Sequence, residues 1–392
     1  MASEDLLRND GRGLWCEPGG FHVDPWDPVR VAVITHAHGD HARGGSDLYY
    51  CANEGLELLR RRLPAGSQVR GVAFGEPFEL GSTCLTLHPA GHIRGSSQVR
   101  VETGALHQGG VWVVSGDYKR QRDATCTPFE VVPCNTFITE ATFGLPIYRW
   151  EETRVVAQSM ADWWQRNRIR GWDSIIFAYS LGKAQRILSE LWSLRLHPDY
   201  NWIAGEKALL HGAMLGLTSA YVDAGVELMP FEGIREAQNS TSGARPKKLD
   251  HVPRLALAPP SAAGSPWMRR FGAGGGFETG FASGWMRVRG VRRRRGYDRG
   301  FVISDHIDWP DMLSTIAQTG ATRVLVTHGS TETVSRYLCE LGIDAAPLET
   351  RYSGEAGGED TDGTTQPSGD SPTSSELLDA TDHPAPDTRV DL

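Results

Sequence analysis

With 392 residues, 40% hydrophobic and 22% charged, the chain is long enough to bury a sizeable core and to divide into two domains. No apolar run approaches the ~20 residues that cross a bilayer, and Met1-Ala2-Ser3-Glu4-Asp5 lacks a basic-then-apolar signal, so no membrane partner and a cytoplasmic location are expected. The net charge of -8 sits at one end: residues 353–392 hold ten acidic residues and one basic, leaving 38 acidic against 39 basic elsewhere, so the body raises no charge objection to nucleic acid.

In chain order, Trp15-Cys16 and Phe21-His22-Val23 read as short strands, with Asp24 just beyond the second. Val31-Ala32-Val33-Ile34 reads as a buried strand that ends at Thr35-His36-Ala37-His38-Gly39-Asp40-His41. Imidazoles and a carboxylate packed so closely suit a divalent ion. Alternate residues of extended chain share a face, so His36 and His38 reach one ion, and the turn at Gly39 aims Asp40 and His41 at a second. Residues 46–70 carry Leu56, Leu58, Leu59 and Leu63 at helical spacing. Strands over 84–88, 98–102, 111–115 and 136–140 put His92, Asp117 and Glu140 at strand ends or loops, where ladder bonding does not claim the chain. The six cysteines (Cys16, Cys51, Cys84, Cys126, Cys134 and Cys339) form no C-x-x-C pair and read as reduced thiols.

Beyond residue 150 the texture changes. Helices over 151–170 and 183–196 flank a strand at 174–178, and the alternation continues through 209–224 and 254–258, as in the βα units of an inserted domain. Gly182-Lys183 opens a helix, where N–H groups and an ammonium suit a phosphate. Residues 236–250 read as a polar loop, and 264–300 are rich in Gly and Arg. Within that stretch Arg287 to Arg299 holds seven arginines against Asp298, centred on Arg292, Arg293, Arg294 and Arg295. With Trp285 and Tyr297 interleaved, it fits a groove that tracks a phosphate backbone; a solvated face is the alternative. A strand at 300–304 leads to Asp305-His306 and a helix at 309–318; a strand at 323–327 leads to His328-Gly329 and a helix at 331–341. After Tyr352 the Gly, Ser, Thr, Pro and acidic bias cannot support a core, so disorder is expected.

Taken alone, Asp24 is equally a turn residue before Pro25, and Glu140 an ordinary strand-end carboxylate. His22, His88, His107, His197, His211, His251 and His383 belong to no constellation.

The order H-x-H-x-D-H, Gly91-His92 and Ser115-Gly116-Asp117 resembles the metallo-β-lactamase superfamily. Asp305-His306 and Thr327-His328-Gly329, with a domain inserted between Glu140 and His306, resemble its β-CASP nuclease branch. Over residues 14–352 the chain is most similar to the bacterial ligase-associated DNA exonucleases, through Asp24-Pro25-Trp26, Leu181-Gly182-Lys183-Ala184-Gln185, Phe281-Ala282-Ser283-Gly284-Trp285-Met286 and Ser304-Asp305-His306-Ile307-Asp308-Trp309. This resemblance implies an α/β fold: a metallo-β-lactamase αββα sandwich (1–150 and 301–352), an inserted β-CASP-like α/β domain (151–300) and a disordered acidic tail (353–392).

The resemblance also implies two divalent ions, Zn²⁺ before Mn²⁺ or Mg²⁺. His36, His38 and His92 hold one, Asp40, His41 and His328 the other, and Asp117 bridges them. Asp40 and Asp117 thereby join Glu140 and His306 as the catalytic set, with His306, oriented by Glu140, protonating the leaving oxygen. Asp24 holds a ligand histidine in its tautomer. The implied activity is a two-metal phosphodiesterase, a DNA exonuclease in end processing or repair, with a DNA ligase and a helicase as partners. The alternatives are an RNA-processing nuclease of the same fold, ribonuclease J-like or mRNA 3′-end processing-like, and a small-molecule metallo-hydrolase. The last needs neither the inserted domain nor the arginine run. Nothing in the residues reads a 2′-OH, so DNA against RNA stays open, as do polarity and strand preference.

Overall fold

Short runs separated by turns build the first sheet of this computed structural model, which describes residues 5–103, 110–234, 251–290 and 296–351. Its strands are β1 (Arg8–Asn9), β2 (Leu14–Cys16), β3 (Phe21–Val23), β4 (Val31–Val33), β5 (Leu48–Ala52) and β6 (Val69–Val72), which lie side by side in chain order. The first three are antiparallel and β3 to β6 run parallel. Helix α1 (Leu56–Arg62) is the crossover between β5 and β6. Residues 46–70, expected to be helical, are therefore strand, short helix and strand. The leucine spacing marks only α1, while Tyr49-Tyr50-Cys51 has the aromatic content of a strand.

The second sheet begins with β7 (Pro77–Leu80), β8 (Thr83–Pro89), β9 (Ser97–Thr103), β10 (Val111–Val114) and β11 (Thr136–Glu140). The chain then leaves it. Helix α2 (Thr153–Arg170) opens a separate βα unit: β12 (Asp173–Phe177), α3 (Lys183–Leu194), β13 (Ala208–Leu210), α4 (Gly212–Asp223), β14 (Phe231–Gly233), β15 (Leu255–Ala258), β16 (Phe277–Ala282) and β17 (Arg299–Phe301). These strands form a third sheet, parallel throughout, in the order β14-β13-β15-β12-β16-β17. Its central strands are buried on both faces, as a covered parallel sheet requires.

The chain then returns to the second sheet through α5 (Trp309–Thr319), β18 (Arg323–Thr327), α6 (Thr331–Glu340) and β19 (Asp344–Pro347), giving the order β19-β18-β11-β10-β9-β8-β7. Helix α5 carries its own start and stop signals. Asp308 accepts from the Asp311 N–H at 3.1 Å, Pro310 sits in the first turn, and Gly320 ends the helix at φ +69.

Side-chain alternation assigns the cores. Trp112, Val114, Ile138 and Leu325 face Val23 and Val33 of the first sheet, whereas Val113, Phe137, Val324 and Val326 face Met312, Ile316, Val334 and Leu338 of α5 and α6. On the far side of the first sheet, Ile34 and Tyr49 share one core with Leu58 and Leu59 of α1 and with Ile176, Leu210 and Leu257 of the third sheet. The parallel unit is thus joined to the first sheet by buried apolar contact. Among the described residues, no helix is long and apolar enough to cross a membrane.

Candidate metal centre

The polar residues of interest follow the C-terminal ends of strands, where chain leaves the ladder: Asp24 after β3, the histidine loop after β4, His92 after β8, Asp117 after β10, Glu140 ending β11, His306 after β17 and His328 after β18. Two of these positions have unusual backbone. Asp24 (φ +44) and His328 (φ +58) are the non-glycine residues with positive φ among those described, a conformation that persists only where surrounding bonds impose it. Before His92, Gly91 (φ +71) passes so near the Lys119 carbonyl that a Cβ would lie 2.4 Å from it. Only glycine fits there.

The first cluster is His36, His38, His92 and Asp117. His38 Nδ1 lies 3.1 Å from Nε2 of both His36 and His92. Nitrogens about 3.3 Å apart are what a tetrahedral ion with Zn–N bonds of about 2.0–2.1 Å would impose. The second cluster is His41, Asp117 and His328. His41 Nδ1 donates to Asp24 Oδ2 at 2.7 Å, which turns Nε2 toward Asp117 Oδ2, 3.5 Å away. Asp24 also accepts from the Thr35 N–H at 2.7 Å and the Thr35 hydroxyl at 2.5 Å. Asp40 lies at the edge of this cluster, its Oδ2 3.9 Å from His41 Nε2. Asp117 belongs to both clusters, and its buried Oδ1 has no hydrogen-bond partner among the described residues. A third grouping joins Asp117 to Glu140 and His306.

Burial and neighbouring charges shift several groups in this pocket. Burial holds His36 and His92 far below the usual histidine range, neighbouring imidazoles adding to it. Burial and then His41 push His328 down to about 3. For His41 burial opposes the charged form, but Asp117, Asp40 and Asp24 outweigh it and lift the pKa to about 10. Burial raises Asp117, with Glu140 adding and His41 opposing. Imidazoles kept neutral at His36, His92 and His328, converging on a buried carboxylate with an unsatisfied oxygen, are a donor set for divalent metal. The residues present fit divalent metal.

The other expected residues lie differently. Lys183 does not offer its ammonium to solvent: its side chain is 0% exposed, with Nζ 3.5 Å from Asp305 and 4.8 Å over the Tyr179 ring. The Gly182 N–H is taken by Gln185 Oε1 at 2.7 Å and the Ala184 N–H by Tyr179 O at 3.2 Å. A lysine beginning a helix reads as exposed; burial here follows from the acidic partner that the fold brings to it. Arg292, Arg293, Arg294 and Arg295, the polar stretch 236–250 and the tail 353–392 lie outside the described residues.

Sequence reasoning did not single out Thr35, Lys119, Asp123, Arg186 or the side chain of Asp305. Thr35 carried a local signal, standing beside His36 at the strand end. The others are buried and charged, and nothing in their local sequence sets them apart from surface residues.

No family model matches the chain. It is 30% identical over 334 residues to a probable DNA ligase of Opitutus terrae, covering 85% of this chain and 30% of that protein. The chain thus spans under a third of that relative's length. It is 27% identical over 141 residues to the endoribonuclease YSH1 of Gibberella zeae, covering 34% of this chain and 16% of the relative. A solved structure of a protein of unknown function from Enterococcus faecalis superposes with a TM-score of 0.47 at 10% identity, over 76% of this chain and 74% of that one.

Proposed function

We propose that the chain is a two-ion phosphodiesterase of the metallo-β-lactamase superfamily, β-CASP branch, which trims nucleic-acid ends and prefers DNA. One observation carries this: Asp117 Oδ2 lies within 3.9 Å of nitrogens from His36, His41, His92 and His306. A carboxylate shared by two ligand clusters is thereby set beside a His–Glu pair suited to proton transfer. Residues 1–150 and 301–352 form the hydrolase domain on this reading, 151–300 the inserted domain and 353–392 an acidic tail.

His36, His38 and His92 would hold one divalent ion and Asp40, His41 and His328 the other, with Asp117 between them. Such ions supply charge stabilisation at a phosphoryl group and a nucleophile at neutral pH. The remaining work falls to side chains. Asp24 and Thr35 fix the rings of His41 and His36. Glu140 engages Nδ1 of His306 at 2.9 Å, favouring the imidazolium and leaving Nε2 to protonate the departing oxygen. The Tyr118 N–H donates to Glu140 at 3.0 Å and keeps that carboxylate in place.

The name of the Opitutus terrae relative, a probable DNA ligase, supports DNA as the substrate and a ligase as a partner; an end-processing role and a helicase partner are proposed with them. The name of the Gibberella zeae relative favours a second reading, an RNA-processing nuclease of the same fold. Time-resolved digestion of end-labelled single- and double-stranded DNA beside matched RNA, with and without a chelator, tests both. Stepwise shortening of DNA that the chelator abolishes is expected. Cleavage of RNA alone would establish the second reading, and no cleavage of any polymer would refute the nuclease.

A further inference from the structure

The histidines of the first cluster are not held alike. His36 is fixed within its own loop, Nδ1 lying 3.0 Å from Thr35 Oγ1. The other two donate to backbone carbonyls of the parallel-sheet unit and its exit segment. His38 Nε2 donates to Leu181 O at 3.1 Å, just before α3, and His92 Nδ1 donates to Asp305 O at 2.7 Å, just after β17. The first carbonyl is set by the turn into α3, where the Gln185 side chain bonds both the Gly182 N–H and the Ser180 carbonyl.

The second is set by a buried charge cluster. The Asp305 carboxylate lies 3.1 Å from Arg186 Nη1, 3.5 Å from Lys183 Nζ and 3.9 Å from Lys119 Nζ. Arg186 also donates to Ser304 O at 2.5 Å. Asp123 completes the cluster, 2.7 Å from Lys119 and 3.6 Å from Arg186, and no member's side chain is more than 4% exposed. Helix α3 is seated closely: a Cβ on Gly182 would lie 2.3 Å from Cγ2 of Ile93, the neighbour of His92.

We propose that Lys183 and Arg186 are positioning residues for the metal centre, clamping Asp305 so that its carbonyl fixes the tautomer of His92, while the turn held by Gln185 fixes that of His38. A neutral imidazole has one proton, and the nitrogen that gives it to a carbonyl leaves the lone pair on the other. His92 therefore presents Nε2 and His38 presents Nδ1. The second cluster is supported otherwise, through Asp24 and Thr327 of the first two sheets. The first ion's site accordingly depends on docking of the parallel-sheet unit, and the second ion's site does not. This rests on the two-ion reading of the cluster but not on any nuclease activity.

The test uses the full chain and its Lys183→Met, Arg186→Met and Arg186→Lys variants. Long-range ¹⁵N–¹H spectra of the metal-free proteins report histidine tautomers, and Zn²⁺ titration against a competing chelator reports the two affinities. The parent should show His92 protonated at Nδ1 and His38 at Nε2. In the Met variants the His92 signal should become a tautomer mixture while His328 stays unchanged. The first Zn²⁺ should bind about 10–100-fold more weakly, the loss usual for outer-shell partners, with the second unaffected and Arg186→Lys partly restored. Lys183→Met, close to isosteric, decides the matter if Arg186→Met does not fold. Unaltered spectra and affinities in the variants overturn the positioning role, as does equal weakening of both ions with a shifted His328. A parent that binds no Zn²⁺ overturns the two-ion reading and this proposal with it.

Discussion

His306 meets both oxygens of Glu140, its Nδ1 2.9 Å from one and 3.0 Å from the other, in a pair with side chains 3% and 0% exposed. Burial works against the Glu140 charge, but His306 outweighs it and holds the carboxyl below its ordinary range. An anion so placed favours the protonated imidazole. His306→Ala should therefore slow hydrolysis by about 10²–10⁴-fold, the usual cost of losing a general acid, with metal content unchanged. A substrate with a better leaving group should recover part of the rate. If metal analysis instead finds an ion lost, His306 is a ligand through the grouping it shares with Asp117.

Asp117 is common to all the ligand groupings. Purified protein should carry about two zinc-like equivalents, and Asp117→Ala should lower occupancy of both sites together. Retention of full metal by that variant would exclude a bridge.

Acid should act through the cluster behind the site. Burial opposes the charge of Asp123, yet Lys119 and Arg186 outweigh it and lower its pKa from 3.8. A carboxylate depressed in the fold contributes stability that is present above its unfolded pKa and lost as pH falls through the folded one. Asp123→Asn should cost about 3–5 kcal/mol at pH 7, because it leaves two buried cations short of an anion. It should also flatten the fall in stability below pH 4. Urea unfolding at several pH values checks both, and a variant with the parent's pH slope would show that Asp123 contributes none of it.

The arginine run is tested by salt. Its neighbours Arg287 and Arg289 are exposed. Replacing Arg292, Arg293, Arg294 and Arg295 with Gln should weaken binding to single-stranded DNA and flatten its salt dependence by about 0.7 per lost phosphate contact. Hydrolysis of a small activated phosphodiester should barely change. A variant that binds with the parent's slope would make the run a solvated face.

Legibility from sequence followed how local each signal was. The runs at 136–140 and 323–327 coincide with β11 and β18, because strands buried on both faces are near-continuously apolar or β-branched. The short strands β5 and β6 were hidden by the leucine spacing of α1 between them, and β16 by the glycines of the surrounding stretch. The histidine loop declares itself because its members stand within six residues of one another. What holds its rings does not. Leu181 O and His38 are 143 positions apart, Asp305 O and His92 213, and a carbonyl has no side chain to mark it. The burial of Lys183 depends on the same long-range meeting.

The pairing of β11 with β18, Thr136 beside Arg323 and Ile138 beside Leu325, also sets an order of events on the ribosome. At ordinary synthesis rates roughly ten to forty seconds separate the emergence of these neighbours. The parallel sheet is complete by Phe301 and has time to collapse while β11 waits as an open edge. Glu140 and His328 come together only when β18 fills that edge. On the proposed function, a nascent chain stays chemically silent until its later strands are made, so no half-translated copy can degrade nucleic acid near the ribosome that is producing it.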